Sequence, residues 1–248
     1  MKISKKTLSI FENMLEVNKD MSMVLIPGKT QRVTDKIAEY FIEAEIEEDI
    51  PQQCYMREFE HFVKALKRFK DPDVTFSESS ITIKEDKKKT IIPLDDVDRQ
   101  FQDDDELKAL RIIKQGIDQY YDGLTKVSFT LRETDLKFIL SSLSNSTSND
   151  VQLTLKDHKV IISSVPNSKS SEFDVEVDVI EEDLGFEIND QIPLTTVSLM
   201  KGYDYDVDLY YDYDEEYDQY YTICLMINNP LSPKYMIACN KTQDSQDT

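Results

Sequence analysis

The sequence is short of glycine, of histidine and of bases to balance its acids, and each shortage removes a class of function. Five glycines in 248 residues leave no glycine-rich loop to cradle a nucleotide phosphate and no flexible glycine linker. The two histidines are His61, in a basic segment, and His158, in an Asp157-His158 turn. They form no cluster for nucleophilic or zinc catalysis. Three widely spaced cysteines, Cys54, Cys224 and Cys239, sit inside or beside apolar runs; they imply neither a disulfide framework nor a zinc site and suit small buried hydrophobes. No apolar run approaches the roughly 20 residues that span a bilayer, and the opening Met1-Lys2-Ile3-Ser4-Lys5-Lys6 leads into an amphipathic stretch, unlike a signal peptide. The expectation is a cytoplasmic protein with no membrane partner and no cofactor.

The formal charge is −20, and its distribution carries more information than its sum. Between residues 171 and 220 stand seventeen acids against one base, Lys201. Between Arg57 and Lys70, by contrast, Arg57, Lys64, Lys67, Arg68 and Lys70 outnumber Glu58 and Glu60. The charge is segregated along the chain.

Hydrophobic periodicity divides the chain into short helices and long strand-rich tracts. Leu8, Phe11, Met14 and Leu15 share one helical face, which predicts a helix from Ser4 to Asn18. Tyr40 to Glu47 alternates with a period of two, as a strand with one buried face does. Phe59, Phe62, Val63, Leu66 and Phe69 make the clearest apolar stripe, and Asp71-Pro72 closes that helix. Strands are predicted near Val74–Phe76, Ile81–Ile83 and Thr90–Ile92. The polar stretch from Asp95 and a helix-like segment from Glu106 to Ile117 read as a connector. The plan then recurs: a strand at Lys126–Leu131, a helix over Glu133–Ser144, strands at Val151–Leu155, Lys159–Val165 and Glu172–Ile180, and a helix from Pro193 stopped by Gly202. Three strands follow, near Tyr203–Tyr211, Tyr220–Ile227 and Lys234–Cys239. Two copies of one plan point to an internal duplication, with domains at 1–97 and 125–248 joined by a connector at 98–124.

At this point the sequence resembles a known family. Met1-Lys2-Ile3-Ser4-Lys5-Lys6-Thr7, the basic helix after Tyr55, the connector, Lys159-Val160-Ile161-Ile162, Met200-Lys201-Gly202-Tyr203 and Tyr235-Met236-Ile237-Ala238 are similar, in order and spacing, to segments of the DNA polymerase sliding clamps of T-even-type tailed phages. The resemblance spans nearly the whole chain and rests on the joint order of motifs that are each weak. It implies an α+β clamp fold of two duplicated domains, each with two helices packed on antiparallel sheets, and a non-enzymatic homotrimeric ring. Its function would be to encircle duplex DNA and tether a replicative polymerase, with the polymerase and a clamp loader as partners, in the host cytoplasm if the chain is phage-encoded. It also implies a cationic lining, for which the candidates are Lys5, Lys6, Lys64, Lys67, Arg68, Arg132, Lys137 and Lys201. The second-half helices are poor in bases, so an uneven lining is expected. A partner-peptide pocket is expected near Leu94, Val97, Phe101, Tyr235 and Ile237, residues that read equally as ordinary core.

Two rival readings meet contrary residues. Asp204, Asp206, Asp208, Asp212 and Glu215 fall at positions 1, 3, 5, 9 and 12 of a calcium-binding loop. Leu209, however, stands where that loop needs glycine, and Tyr203, Tyr205, Val207 and Leu209 alternate with the acids as in a strand. The alternative function is an acidic DNA mimic that occupies a basic partner. Such a mimic would carry acids on its helices, whereas the segment 57–70 is basic.

Overall fold

Ser4 begins the first helix by the expected chemistry. Its hydroxyl accepts from the Thr7 amide at 3.2 Å, which satisfies one of the orphan donors at the helix start, and its carbonyl accepts the first intrahelical bond, from the Leu8 amide at 3.0 Å. The computed structural model describes residues 1–17, 23–34, 40–57, 59–95, 104–143, 150–165, 172–179, 185–192, 199–200, 202–229 and 233–238. These fall into two compact units, Met1–Gln119 and Tyr120–Thr248.

In the first unit, α1 (Lys5–Val17) packs on β3 (Tyr40–Ile50) and against α2 (Phe59–Lys67). Phe11, Phe59 and Phe62 meet with ring centroids 5.5–6.0 Å apart, and burial of these rings is the main source of the helix pair's stability. The strands pair antiparallel in three groups: β1 (Met23–Leu25) with β4 (Cys54–Met56), β2 (Gly28–Thr34) with β3, and β5 (Asp73–Phe76) with β6 (Ser80–Glu85) and then β7 (Lys88–Pro93). Lys2 adds an isolated antiparallel bridge to Asp73 of β5. The segment expected to be a connector contains α3 (Asp104–Gln115), whose Leu110 and Ile113 pack with Val24, Ile26 and Tyr55. Arg32 of β2 fastens its end: the guanidinium pairs with Glu43 at 2.5 Å and donates at 3.4 Å to the carbonyls of Ile113 and Lys114. A cation suits the negative end of a helix. A single helical turn, α4 (Asp118–Tyr121), follows.

The second unit repeats this succession. Here β9 (Val151–Lys156) pairs with β12 (Ile188–Ile192) as β1 does with β4, and β10 (Lys159–Ser164) pairs with β11 (Asp174–Val179) as β2 does with β3. The strands β8 (Lys126–Leu131), β13 (Tyr205–Asp214), β14 (Gln219–Asn228) and β15 (Lys234–Ala238) lie side by side in that order. They correspond to Lys2, β5, β6 and β7 of the first unit. Between β8 and β9 runs α5 (Glu133–Leu143), the counterpart of α1. Phe129, Leu131, Val151, Leu153, Ile162, Ile192, Val207, Leu225 and Ile227 converge on a gap of about 10 Å³. That is barely one water in size and offers no polar partner, so the core is dry.

The helices Lys5–Val17, Phe59–Lys67, Asp104–Gln115 and Glu133–Leu143 answer to expected ones, and most expected strands are present. Sequence periodicity missed β1 and β4, three residues each, β2, whose buried positions include the polar Gln31 and Thr34, and β12, whose Asn189, Asp190 and Gln191 interrupt two buried isoleucines. Of the expected helix from Pro193 to Gly202, positions 193–198 and 201 lie outside the described residues. The tight turns Asp86-Lys87 and Asp157-His158 join consecutive strands, with φ of +52° at Asp86 and of +48° and +65° at Asp157 and His158. Such left-handed backbone matches the twist of a two-residue hairpin.

Candidate nucleic-acid interface

The exposed faces of α1 and α2 follow from which positions the core takes. On α2, Phe59, Phe62, Val63, Ala65 and Leu66 are buried, which leaves Glu60, His61, Lys64 and Lys67 on the outer stripe, with Arg68 in the turn beyond. On α1, burial of Thr7, Ile10, Phe11, Asn13 and Met14 sets Lys5, Lys6 and Glu12 outward. Lys5 and Lys6 occupy the first turn, where a helix disfavours cations. A carboxylate offsets them: Glu48 of β3 accepts from the Ser4 amide and from the Thr7 hydroxyl, each at 2.5 Å. Between the helices lies a groove of about 480 Å³, with Lys5, Glu12, Lys67 and Lys70 around an apolar floor of Leu8, Leu66 and Phe69.

The expected cations are not all free. Lys67 reaches from α2 to Glu12 of α1 at 2.5 Å, and Lys64 pairs with Glu60 one turn earlier at 2.7 Å. The hydrogen bond and charge of Lys64 hold the Glu60 carboxyl below its ordinary range. In the second unit Lys137 pairs with Glu133 at 2.6 Å, and Arg132 is exposed just before α5. Lys5, Lys6 and Arg68 have no carboxylate partner among the described residues. Lys201 lies outside them, as do Val97 and Phe101. Leu94 is half-buried, and its amide donates to Ser79 at 2.9 Å. Tyr235 and Ile237 are fully buried at 0% exposure. The Tyr235 hydroxyl accepts from the Met200 amide at 3.3 Å, and the hydroxyl of Tyr205 donates to the Met200 carbonyl at 2.9 Å.

Of the acids that suggested a calcium loop, Asp204 and Asp208 serve groups on other elements. Asp204 caps the start of α5 through the Glu133 amide at 2.7 Å, and Asp208 takes Lys126 at 2.7 Å together with the Ser128 hydroxyl. Two further carboxylates bind backbone amides of another strand, Asp178 to Thr130 and Asp190 to Thr222, each at 2.6 Å. No group of three or more His, Cys, Asp or Glu among the described residues is placed to hold a metal ion. No helix among them is long and apolar enough to cross a membrane.

Among the strands that pair on one side only are β7 and β11. β7 pairs only with β6, and around it stand Lys87, Lys88, Lys89 and Ile91, the last 53% exposed. β11 pairs only with β10 and carries Asp174 and Glu176, with Glu172 just before it. Beside β11, Phe138 of α5 is 51% exposed and meets Phe173 edge-on at 6.3 Å. One edge is cationic and the other anionic, and each has an apolar element.

Known structures resemble this arrangement of strands and helices closely. The DNA polymerase sliding clamp from Pseudomonas aeruginosa superposes with a TM-score of 0.58 at 8% identity, over 96% of this chain and 63% of that one. The PCNA2–PCNA3 complex from Sulfolobus tokodaii gives 0.58 at 11% identity over 97% and 99%. This chain has the sliding-clamp fold. A Helicobacter pylori beta clamp bound to a DNA ligase peptide gives 0.58 at 11% over 98% and 68%. The chain thus spans about two thirds of the length of these bacterial clamps and the whole length of the archaeal subunit. No protein-family profile and no curated protein sequence matches it.

Proposed function

We propose that this chain is a sliding clamp of the T-even-phage type, a scaffold without chemistry of its own that encircles duplex DNA and tethers a polymerase. The observation that carries the reading is charge placement within the sliding-clamp fold: a chain of net charge −20 sets Lys5, Lys6, Lys64 and Lys67 on the outer faces of α1 and α2, with Arg68 in the turn beyond. A ring that slides must hold DNA without gripping it, and each phosphate neutralised adds affinity through counterion release. A few cations around the hole suffice, and an acidic exterior repels DNA elsewhere. Arg132, Lys137 and Lys201 would complete the lining more sparsely.

In this reading the ring closes head to tail from three copies. The open edge of β7 and that of β11 are suited to each other: a strand can add to an unpaired edge, the lysines at 87–89 face Glu172, Asp174 and Glu176, and Ile91 meets Phe138 and Phe173. The contact is heterologous, as rotational closure of a ring requires. Polymerase and loader tails would dock as peptides, the kind of ligand the H. pylori clamp binds, and Leu94 and the residues that follow it are the proposed place on this chain.

The test is topological. The protein is bound to a duplex tethered at one end, the free end is then blocked with streptavidin, and the DNA is washed with salt. Encircling protein stays only when both ends are closed, and light scattering gives the mass of three chains. A monomer whose retention ignores the block, and which leaves polymerase runs unchanged in length, overturns the proposal.

A further inference from the structure

We propose that Glu12, Glu60 and Glu133 belong to the DNA-handling surface: they compete with phosphates for Lys67, Lys64 and Lys137, and so set how weakly the lining holds duplex DNA. This rests on the clamp reading above and concerns the mobility of the ring.

Three observations carry it. The expected lining splits into two kinds of cation. Lys5, Lys6 and Arg68 are without a carboxylate among the described residues, whereas Lys64, Lys67 and Lys137 each have one at 2.5–2.7 Å. Second, the acids stand on the same outer helix faces as the bases. Glu60 and Glu133 each precede their lysine by four residues, the favoured orientation on a helix, and Glu12 reaches Lys67 across the groove between α1 and α2. Third, the lysines are well exposed and their carboxylates at least a third exposed, at 56% and 60%, 56% and 38%, and 57% and 34%. Exposed pairs of this kind are weak, so a phosphate can displace the carboxylate and be displaced in turn.

The physical consequence concerns ion release. A lone lysine that binds a phosphate frees a condensed cation from the DNA, and that release drives affinity. A lysine already held by a carboxylate must give up one anion to gain another, and the freed carboxylate is left close to the phosphate, where like charges repel. The net gain per contact is small. The unpaired cations would keep DNA in the hole, and the paired ones would lower the ridges between successive phosphate positions.

The experiment compares the full-length protein with E12Q/E60Q/E133Q and, as a charge-matched control, E78Q/E215Q/E216Q, whose positions are exposed and off these helices. All three are threaded onto duplex DNA closed at both ends. One-dimensional diffusion and the salt dependence of binding to open duplex are then measured. Each lysine freed to take a phosphate should steepen the log–log salt slope by up to about 0.9, equivalent to about threefold in affinity between 50 and 200 mM salt. We expect E12Q/E60Q/E133Q to stay locked on end-blocked DNA, to diffuse at least threefold more slowly and to show the steeper slope, while the control matches the parent. Equal diffusion and slope in all three, with end-dependent retention intact, overturns this inference alone. An equal slowing in the control overturns it too, since bulk charge would then explain the effect. Loss of end-dependent retention in the parent protein sinks the clamp reading, and this inference with it.

Discussion

The first unit pairs β1 with β4, β2 with β3 and β5 through β7 in series, and the second pairs β9 with β12, β10 with β11 and β13 through β15 in the same succession. Their outer surfaces diverge. The helices of the first and the turn after α2 carry five candidate cations, while outward positions of β11 and β13 in the second carry Asp174, Glu176, Asp178, Asp206, Asp208 and Asp212. Topology depends on which residues face the core, and Val74, Ile81 and Ile83 fill that role as Val207 and Leu225 do. A duplicated fold can therefore keep its inward pattern while its exposed positions take opposite charge.

The sharpest way to break the comparison is to empty corresponding cores. Phe62→Ala removes a ring that is fully buried against Phe11 and Phe59 and should cost about 3–5 kcal/mol. Ile139→Ala in α5 should cost about 2–5 kcal/mol. Denaturant titration of each variant tests whether the two units depend equally on their helices. A second test moves to charge. K5Q/K6Q/R68Q, which removes the cations without a carboxylate partner, should flatten the salt dependence of DNA binding by up to about 2.7 per subunit, against about 0.9 for R132Q, at about 0.9 per phosphate contact. Fluorescence anisotropy over a salt series reads both, and a larger effect from the second unit would reverse the assignment of the charged face.

Smaller effects distinguish how each unit ties down an irregular stretch. In the first, buried Gln31 accepts from the Ile26 amide at 3.1 Å and donates to the carbonyls of Ile26 and Gly28 at 2.9 and 3.1 Å. Gln31→Leu strands these groups, at about 1–3 kcal/mol by denaturation. In the second, tyrosine hydroxyls hold Met200, and Tyr235→Phe should cost only about 1 kcal/mol. The smallest difference is expected at the thiols. Burial pushes Cys54 up to about 11 and Cys224 up to about 12 from an ordinary 9.0. The folded state therefore holds these protons more tightly than the unfolded one. The stability this gives is complete below pH 9 and is lost as pH rises towards 11 and 12. At pH 8 both thiols should react slowly with alkylating reagents in the native protein and rapidly in denaturant, and a fast thiol in one unit would mark it as locally open.

Much of this was legible in the sequence because apolar spacing encodes it. The stripes Leu8–Phe11–Met14 and Phe59–Phe62–Leu66 located α1 and α2, and strict alternation located β11 and β13. The alternation of Tyr205, Val207 and Leu209 also argued correctly for a strand over residues that match calcium-loop spacing. Short strands such as β1 and β4 hold too few residues for a period to register, and the polar middle of β12 hides a strand whose ends alone are buried. Within the candidate interface the bases could be read from sequence, and so could the four-residue spacing of Glu60 to Lys64 and Glu133 to Lys137. The Glu12–Lys67 contact could not, since it depends on how two helices, one ending at Val17 and the next starting at Phe59, come to lie together. The same holds for Asp178 and Asp190, whose carboxylates serve amides on other strands: local pattern marks them as surface acids, and only the tertiary fold gives them a backbone partner.

The lysine-bordered edge of β7 and the carboxylate-bordered edge of β11 give the chain a direction. A two-fold contact would lay each edge on its own copy and set like charges face to face, which favours the nose-to-tail joining of the proposed ring. Any assembly made this way has two unlike sides, as a clock face differs from its back. A protein docked on one side would always look the same way along whatever passes through the middle.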